Sequence, residues 1–106
     1  MNVCSVYMTV GSIGEARAIA ADLVERRLAA CVNLVPGITS IYRWQGEVTE
    51  DAEVAMFAKT RTDLVAALTE RVKAMHSYDC PCIVALPIAA GNADFLDWIA
   101  AETGPA

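Results

Sequence analysis

Two cysteines separated by one residue, Cys80 and Cys82, and a single histidine just before them, His76, are the side chains of this sequence best suited to metal chemistry. If the segment around Pro81 is a strand, positions i and i+2 share a face, and both sulfurs could clamp one soft ion. Two thiolates leave a zinc site incomplete, because Zn²⁺ takes four ligands. Asp79 or a neighbouring subunit would have to supply the rest. The same spacing is a poor geometry for a disulfide in an extended strand. His76 falls near the end of a predicted helix, where the helix dipole favours a cation, and its imidazole is a common metal ligand. A helix-end histidine hydrogen-bonded within a subunit interface is the other assignment for it. Gly11-Ser12-Ile13-Gly14 opens a helix whose amides could hold an anion, but it matches neither Gly-rich nucleotide fingerprint, and helix capping accounts for it. No Ser-His-Asp or Cys-His pattern has local support, and nothing marks a substrate pocket beside His76, Tyr78 and Asp79. The chain therefore reads as non-enzymatic.

The composition limits what can carry these residues. A chain of 106 residues is one domain, residues 1–106. Its residues are 56% hydrophobic and only 20% charged, although a fold this small keeps about a third of its unfolded surface in water. The longest apolar runs, Val54 to Ala58 and Ile83 to Ala90, fall far short of the ~20 residues of a membrane-spanning helix. The apolar surplus points instead to a homo-oligomer. Thirteen acidic residues face eight basic ones, for a net charge of −5, and the longest basic run is Arg26-Arg27. That excludes the clustered basic surface that nucleic acid or an anionic membrane requires. The N-terminus lacks a basic signal region, so a cytoplasmic location is expected, where Cys4, Cys31, Cys80 and Cys82 stay reduced.

The elements follow from periodicity. Val3 to Val10 reads as a strand. Ser12 and Glu15 form a capping box for a helix with Ala16, Ile19, Ala20, Leu23, Val24 and Leu28 on one face. An extended stretch from Ala30 to Trp44 bends at Pro36-Gly37, and Gln45-Gly46 makes a hairpin turn. The return strand, Glu47 to Thr60, points Val48, Ala52 and Val54 one way and Glu47, Thr49, Asp51 and Glu53 the other. From Val54 to Ala58 both faces are apolar. A helix over Thr62 to Met75, a strand over Pro81 to Pro87, and a short helix capped by Asn92, with Phe95, Trp98 and Ile99 facing the body, complete the chain. The order is β-α-β-β-α-β plus a helix, an α+β ferredoxin-like sandwich with an extended hairpin. Two helices cannot cover so long a ribbon, so its far end, with Tyr42, Trp44 and Val48, must dock on another copy.

The block from Leu28 through Ala-Cys-Val-Asn (Ala30 to Asn33) and Pro36-Gly37 to Tyr42-Arg43-Trp44-Gln45-Gly46 resembles the signature of the CutA family, the divalent-cation tolerance proteins. Lys59-Thr60-Arg61, His76-Ser77-Tyr78-Asp79, Ala85-Leu86-Pro87, Gly91-Asn92 and Trp98 resemble it too. The resemblance implies a ferredoxin-like subunit in a stable homotrimer like that of the PII signalling proteins, a link to copper and divalent-metal tolerance, and no established catalytic activity.

For the site, the resemblance implies a copper set of one cysteine and two histidines. Here Met8, Met75 and His76 occupy those positions. Thioethers suit Cu(I) rather than hard divalent ions, so copper, as Cu(I), is the metal this set would take. Packing in the core is the alternative for both methionines. A second residue set that the resemblance implies is an inter-subunit cleft lined by Lys59, Tyr78, Asp79, Tyr42 and Trp44, beside Cys31. That cleft would bind a small organic ligand, or serve only as a hydrogen-bonded interface.

Overall fold

Alternating apolar residues build the sheet, and the apolar stripes of two helices cover one face of it. The computed structural model describes residues 2–105. Its elements are β1 (Val3–Val10), α1 (Ile13–Glu25), β2 (Cys31–Trp44), β3 (Glu47–Arg61), a 3-10 turn (Thr62–Leu64), α2 (Val65–Met75), β4 (Ile83–Pro87) and α3 (Ala93–Ala101). The four strands form one antiparallel sheet in the order β2-β3-β1-β4. This is the predicted ferredoxin-like α+β arrangement with an added C-terminal helix.

Cys4, Val6, Met8 and Val10 of β1 share a face with Thr60, Ala58, Met56 and Val54 of β3. All eight are buried. Ala16, Ile19 and Leu23 of α1 and Leu68 and Val72 of α2 pack onto this face to form the main core. Asp22 locks the two helices side by side. Arg71 donates to it through Nε at 2.7 Å and Nη2 at 2.8 Å, and Arg26 adds a bond from its Nε at 3.2 Å. The opposite face carries Ser5, Tyr7 and Thr9, and is covered only at one end by α3, where Ile99 packs against Val3 and Ala30.

The hairpin is as long as the sequence predicts. Residues β1 can reach on β3 run from Val54 to Arg61, so the stretch from Glu47 to Glu53 is paired with β2 alone. The register breaks between Val35 and Ile38, where Gly37 takes a φ of +79° that favours glycine. Gln45 and Gly46 both have positive φ, 49° and 83°, as a two-residue primed turn demands.

Several local expectations are corrected. The first helix ends at Glu25; Arg27 turns the chain with φ +60°, so Val24 stays exposed and Leu28 reaches the core from a loop. Half of the capping box forms: the Ser12 hydroxyl accepts from the Glu15 amide at 3.2 Å, but the Glu15 carboxylate binds Ser77 instead. The segment at Thr62 begins as a 3-10 turn rather than as helix. Glu53, which ends the polar side of the alternating run, is buried. The last strand starts at Ile83, which leaves Cys80 and Cys82 in the preceding loop and removes the strand-face geometry proposed for their sulfurs. On α3 only Leu96 and Ile99 join the body. Phe95 and Trp98 do not: both are exposed and stack on each other at 5.5 Å.

The helix clamp has a pH signature. Arg71 and Arg26 hold the Asp22 carboxyl at about 2 instead of its usual 3.8. A depressed folded-state value stabilises the fold above pH ~4 and is lost as the pH falls toward 2. Denaturation midpoints followed from pH 5 to pH 2 should drop more steeply for the parent than for Asp22→Asn.

Candidate functional site

The site lies where the four-stranded body narrows to the two-stranded arm. Glu53 is the last residue of β3 before β1 pairing begins, and it is only 8% exposed. The loop after α2 closes over it. His76 caps α2, donating its amide to the Val72 carbonyl at 2.8 Å. Its ring is shut from solvent. Nε2 lies 2.8 Å from the Thr9 carbonyl, which can only accept, so Nε2 carries the proton. Nδ1 accepts from the Tyr78 amide at 3.0 Å. The Glu15 carboxylate takes the Ser77 amide at 2.8 Å and its hydroxyl at 3.1 Å. The loop is thus held to β1 by an imidazole and to α1 by a carboxylate.

These anchors place Tyr78 beside Gly11, with its hydroxyl donating to Glu53 Oε2 at 2.8 Å. Burial, reinforced by that bond to a carboxylate, pushes the Tyr78 phenol well above its usual value. On the arm Tyr42 donates to Asp51, and this bond raises Tyr42 in the same way. Between loop and arm opens a cavity of about 500 Å³. The arm contributes Ser40, Tyr42 and Trp44, the loop contributes residues 77–80 and Cys82, and Thr9 and Glu53 come from the sheet. Partial desolvation of its sulfur also pushes the Cys82 thiol up, although the residue remains exposed.

The sequence-derived residues divide into three groups. Tyr42, Trp44, Tyr78, Asp79, Cys80 and Cys82 line the cavity together. Lys59 and Cys31 do not join them: they are cross-strand partners further along the body, and the Lys59 ammonium binds Asn33. Met8 is fully buried in the core, Met75 packs against it, and both nitrogens of His76 are bonded within the chain. Among the described residues no three His, Cys, Asp or Glu side chains converge as a metal cluster, and no helix is long and apolar enough to cross a membrane. Sequence reasoning missed Glu53 as a site residue, along with Thr9, Ser40 and Ser77. The available signal for Glu53 was its place as the last acid of an alternating run, where both faces turn apolar.

Residues 4–102 match the family model described as CutA1 divalent ion tolerance protein. The chain is 61% identical over 99 residues to the divalent-cation tolerance protein CutA of Thermus thermophilus, covering 93% of this chain and 96% of that one. It is 46% identical to the Homo sapiens protein CutA, spanning 92% of this chain but only 55% of the human one. Among solved structures, the Thermus thermophilus divalent cation tolerance protein superposes with a TM-score of 0.94 at 59% identity, covering 96% of this chain and 99% of that chain. A structure described as the periplasmic divalent cation tolerance protein CutA from Archaeoglobus fulgidus gives 0.89 at 47% identity, with 92% and 94% coverage.

The Tyr78–Glu53 bond should be measurable. Tyr78→Phe leaves a buried carboxylate without its donor and should cost about 1–3 kcal/mol in denaturant titration. Because the folded-state phenol is raised, its contribution is present below pH ~10 and is lost as the pH climbs through the raised value. The parent and Tyr78→Phe should therefore converge at high pH.

Proposed function

Since the chain belongs to the CutA1 divalent ion tolerance family, we propose that it is a cytoplasmic, non-enzymatic homotrimer that binds metal as part of divalent-cation tolerance. The metal it favours is copper, held as Cu(I). The observation that carries this reading is the exposed, unpaired thiol pair of Cys80 and Cys82 on the cavity wall. Thiolates are soft ligands that prefer Cu(I) to hard divalent ions. Met8, Met75 and His76 would add soft donors only if the core opened and His76 released its backbone partners. Nucleic acid and membrane are not among the partners, given the net charge of −5.

Self-association is supported by what one chain leaves open. The hairpin arm has no third strand, and Val35, Ile41, Trp44, Val48, Val84 and Leu86 are exposed. A neighbouring copy is also the economical way to bring Lys59 and Cys31 to the cavity, since each chain keeps its own pair away from it. A second reading, favoured by the cavity itself, is a PII-like signalling trimer that binds a small organic ligand in an inter-subunit cleft. Its ~500 Å³ falls in the range of small-molecule sites.

Anaerobic titration of the reduced protein with Cu(I) against a chromogenic chelator should give sub-micromolar binding that Cys80→Ser and Cys82→Ser abolish. Absent binding, or binding indifferent to Cys80, Cys82 and His76 substitutions, rejects the metal reading. Light scattering should give three chain masses; a single chain mass rejects the trimer.

A further inference from the structure

We propose that the cavity between the arm and the Ser77–Cys82 loop is a receptor for a small organic ammonium ion. This rests on the second reading above, that the cleft takes an organic ligand, and it names the chemical class.

The lining carries two carboxyl groups, Glu53 and Asp79, and no lysine, arginine or histidine. Glu53 is more than nine-tenths buried, and among the described residues no cationic side chain pairs with it. Its single hydrogen bond, from Tyr78, reaches only Oε2. Within one chain, then, this enclosed carboxylate has no counter-charge, and its Oε1 is free to meet a cationic guest. Three aromatic rings, Tyr42, Trp44 and Tyr78, border the same space. The two phenol hydroxyls are already engaged by Asp51 and Glu53, so the ring faces are what remains to attract a guest. Aromatic faces beside carboxylates are the chemistry that recognises alkylammonium groups.

A hard metal ion fits this space poorly. Ca²⁺ takes six to eight oxygen ligands, whereas no three metal-ligating side chains converge among the described residues. A cavity of about 500 Å³ is sized for an organic molecule. Its charge would sit near Glu53 and Asp79 and its alkyl groups against the rings. Lys59 of a neighbouring copy could present the same ammonium chemistry, so the test separates the two sources.

The test is calorimetric titration of the full chain with choline and with its uncharged tert-butyl analogue, in which carbon replaces nitrogen. Choline should bind at least roughly tenfold more tightly than the analogue. The preference should shrink in Glu53→Gln and, at an exposed position that the fold does not use, in Asp79→Asn. Equal binding of both compounds overturns the ammonium assignment while leaving an organic-ligand cleft standing. No binding of either, in the parent and in Lys59→Met, overturns both. Choline binding that appears only in Lys59→Met assigns the ammonium to the neighbouring copy and overturns a free ligand.

Discussion

Strand β3 is longer than the body that can cover it, and the rest of the structure follows from that mismatch. Its second half is flanked by β1 and β2 and faces the helices; its first half has only β2. The step between the two halves creates a corner in the sheet, and the cavity occupies the corner. Register then decides which side chains meet there. The core holds Val54, Met56 and Ala58 on the helix side, which forces Glu53 to the other face. A slip of one residue would exchange those faces, burying Glu53 beneath the helices and dismantling core and site together.

The loop that completes the corner is fixed by polar groups rather than by apolar packing. His76 spans from a β1 carbonyl to the Tyr78 amide, and Glu15 gathers Ser77 from the start of α1. Each partner is a backbone group or a hydroxyl that would otherwise lose its hydrogen bond on burial. Side chains that look like metal ligands in isolation thereby act as struts. Meanwhile the cysteines, which have no such structural bond to the backbone, are left at the cavity wall. The division of labour explains why the most ligand-like residue, His76, is less available than Cys80 and Cys82.

Much of this was legible in the residues. The turn at Gln45-Gly46, the break at Pro36-Gly37 and the doubly buried run from Val54 each carry a local signal that tertiary contacts did not override. Tyr42, Trp44, Tyr78, Asp79, Cys80 and Cys82, which the sequence marks by residue type and by resemblance, line one cavity. What failed were inferences about faces and ends. Glu53 alternates correctly with its neighbours, but alternation cannot tell a solvated face from one roofed by a distant loop. Pro81 and Cys82 continue the apolar run of β4, yet the ladder with β1 begins opposite Ile83. Resemblance groups Lys59 with the cavity, but it does not say which copy of a chain supplies a residue.

At the far end of the molecule, Arg27 donates to the carbonyls of Gly104 and Ala101 at 2.7 and 2.8 Å, and Gly104 returns its amide to the Arg27 carbonyl at 2.9 Å. Arg61 adds the Thr103 carbonyl at 3.3 Å. The Arg27 bonds join residues more than 70 positions apart. Contacts of such separation carry the largest loop-closure cost and form after local ones. The turn between the first helix and β2 is therefore held by residues 101–104 rather than by its own neighbours in sequence.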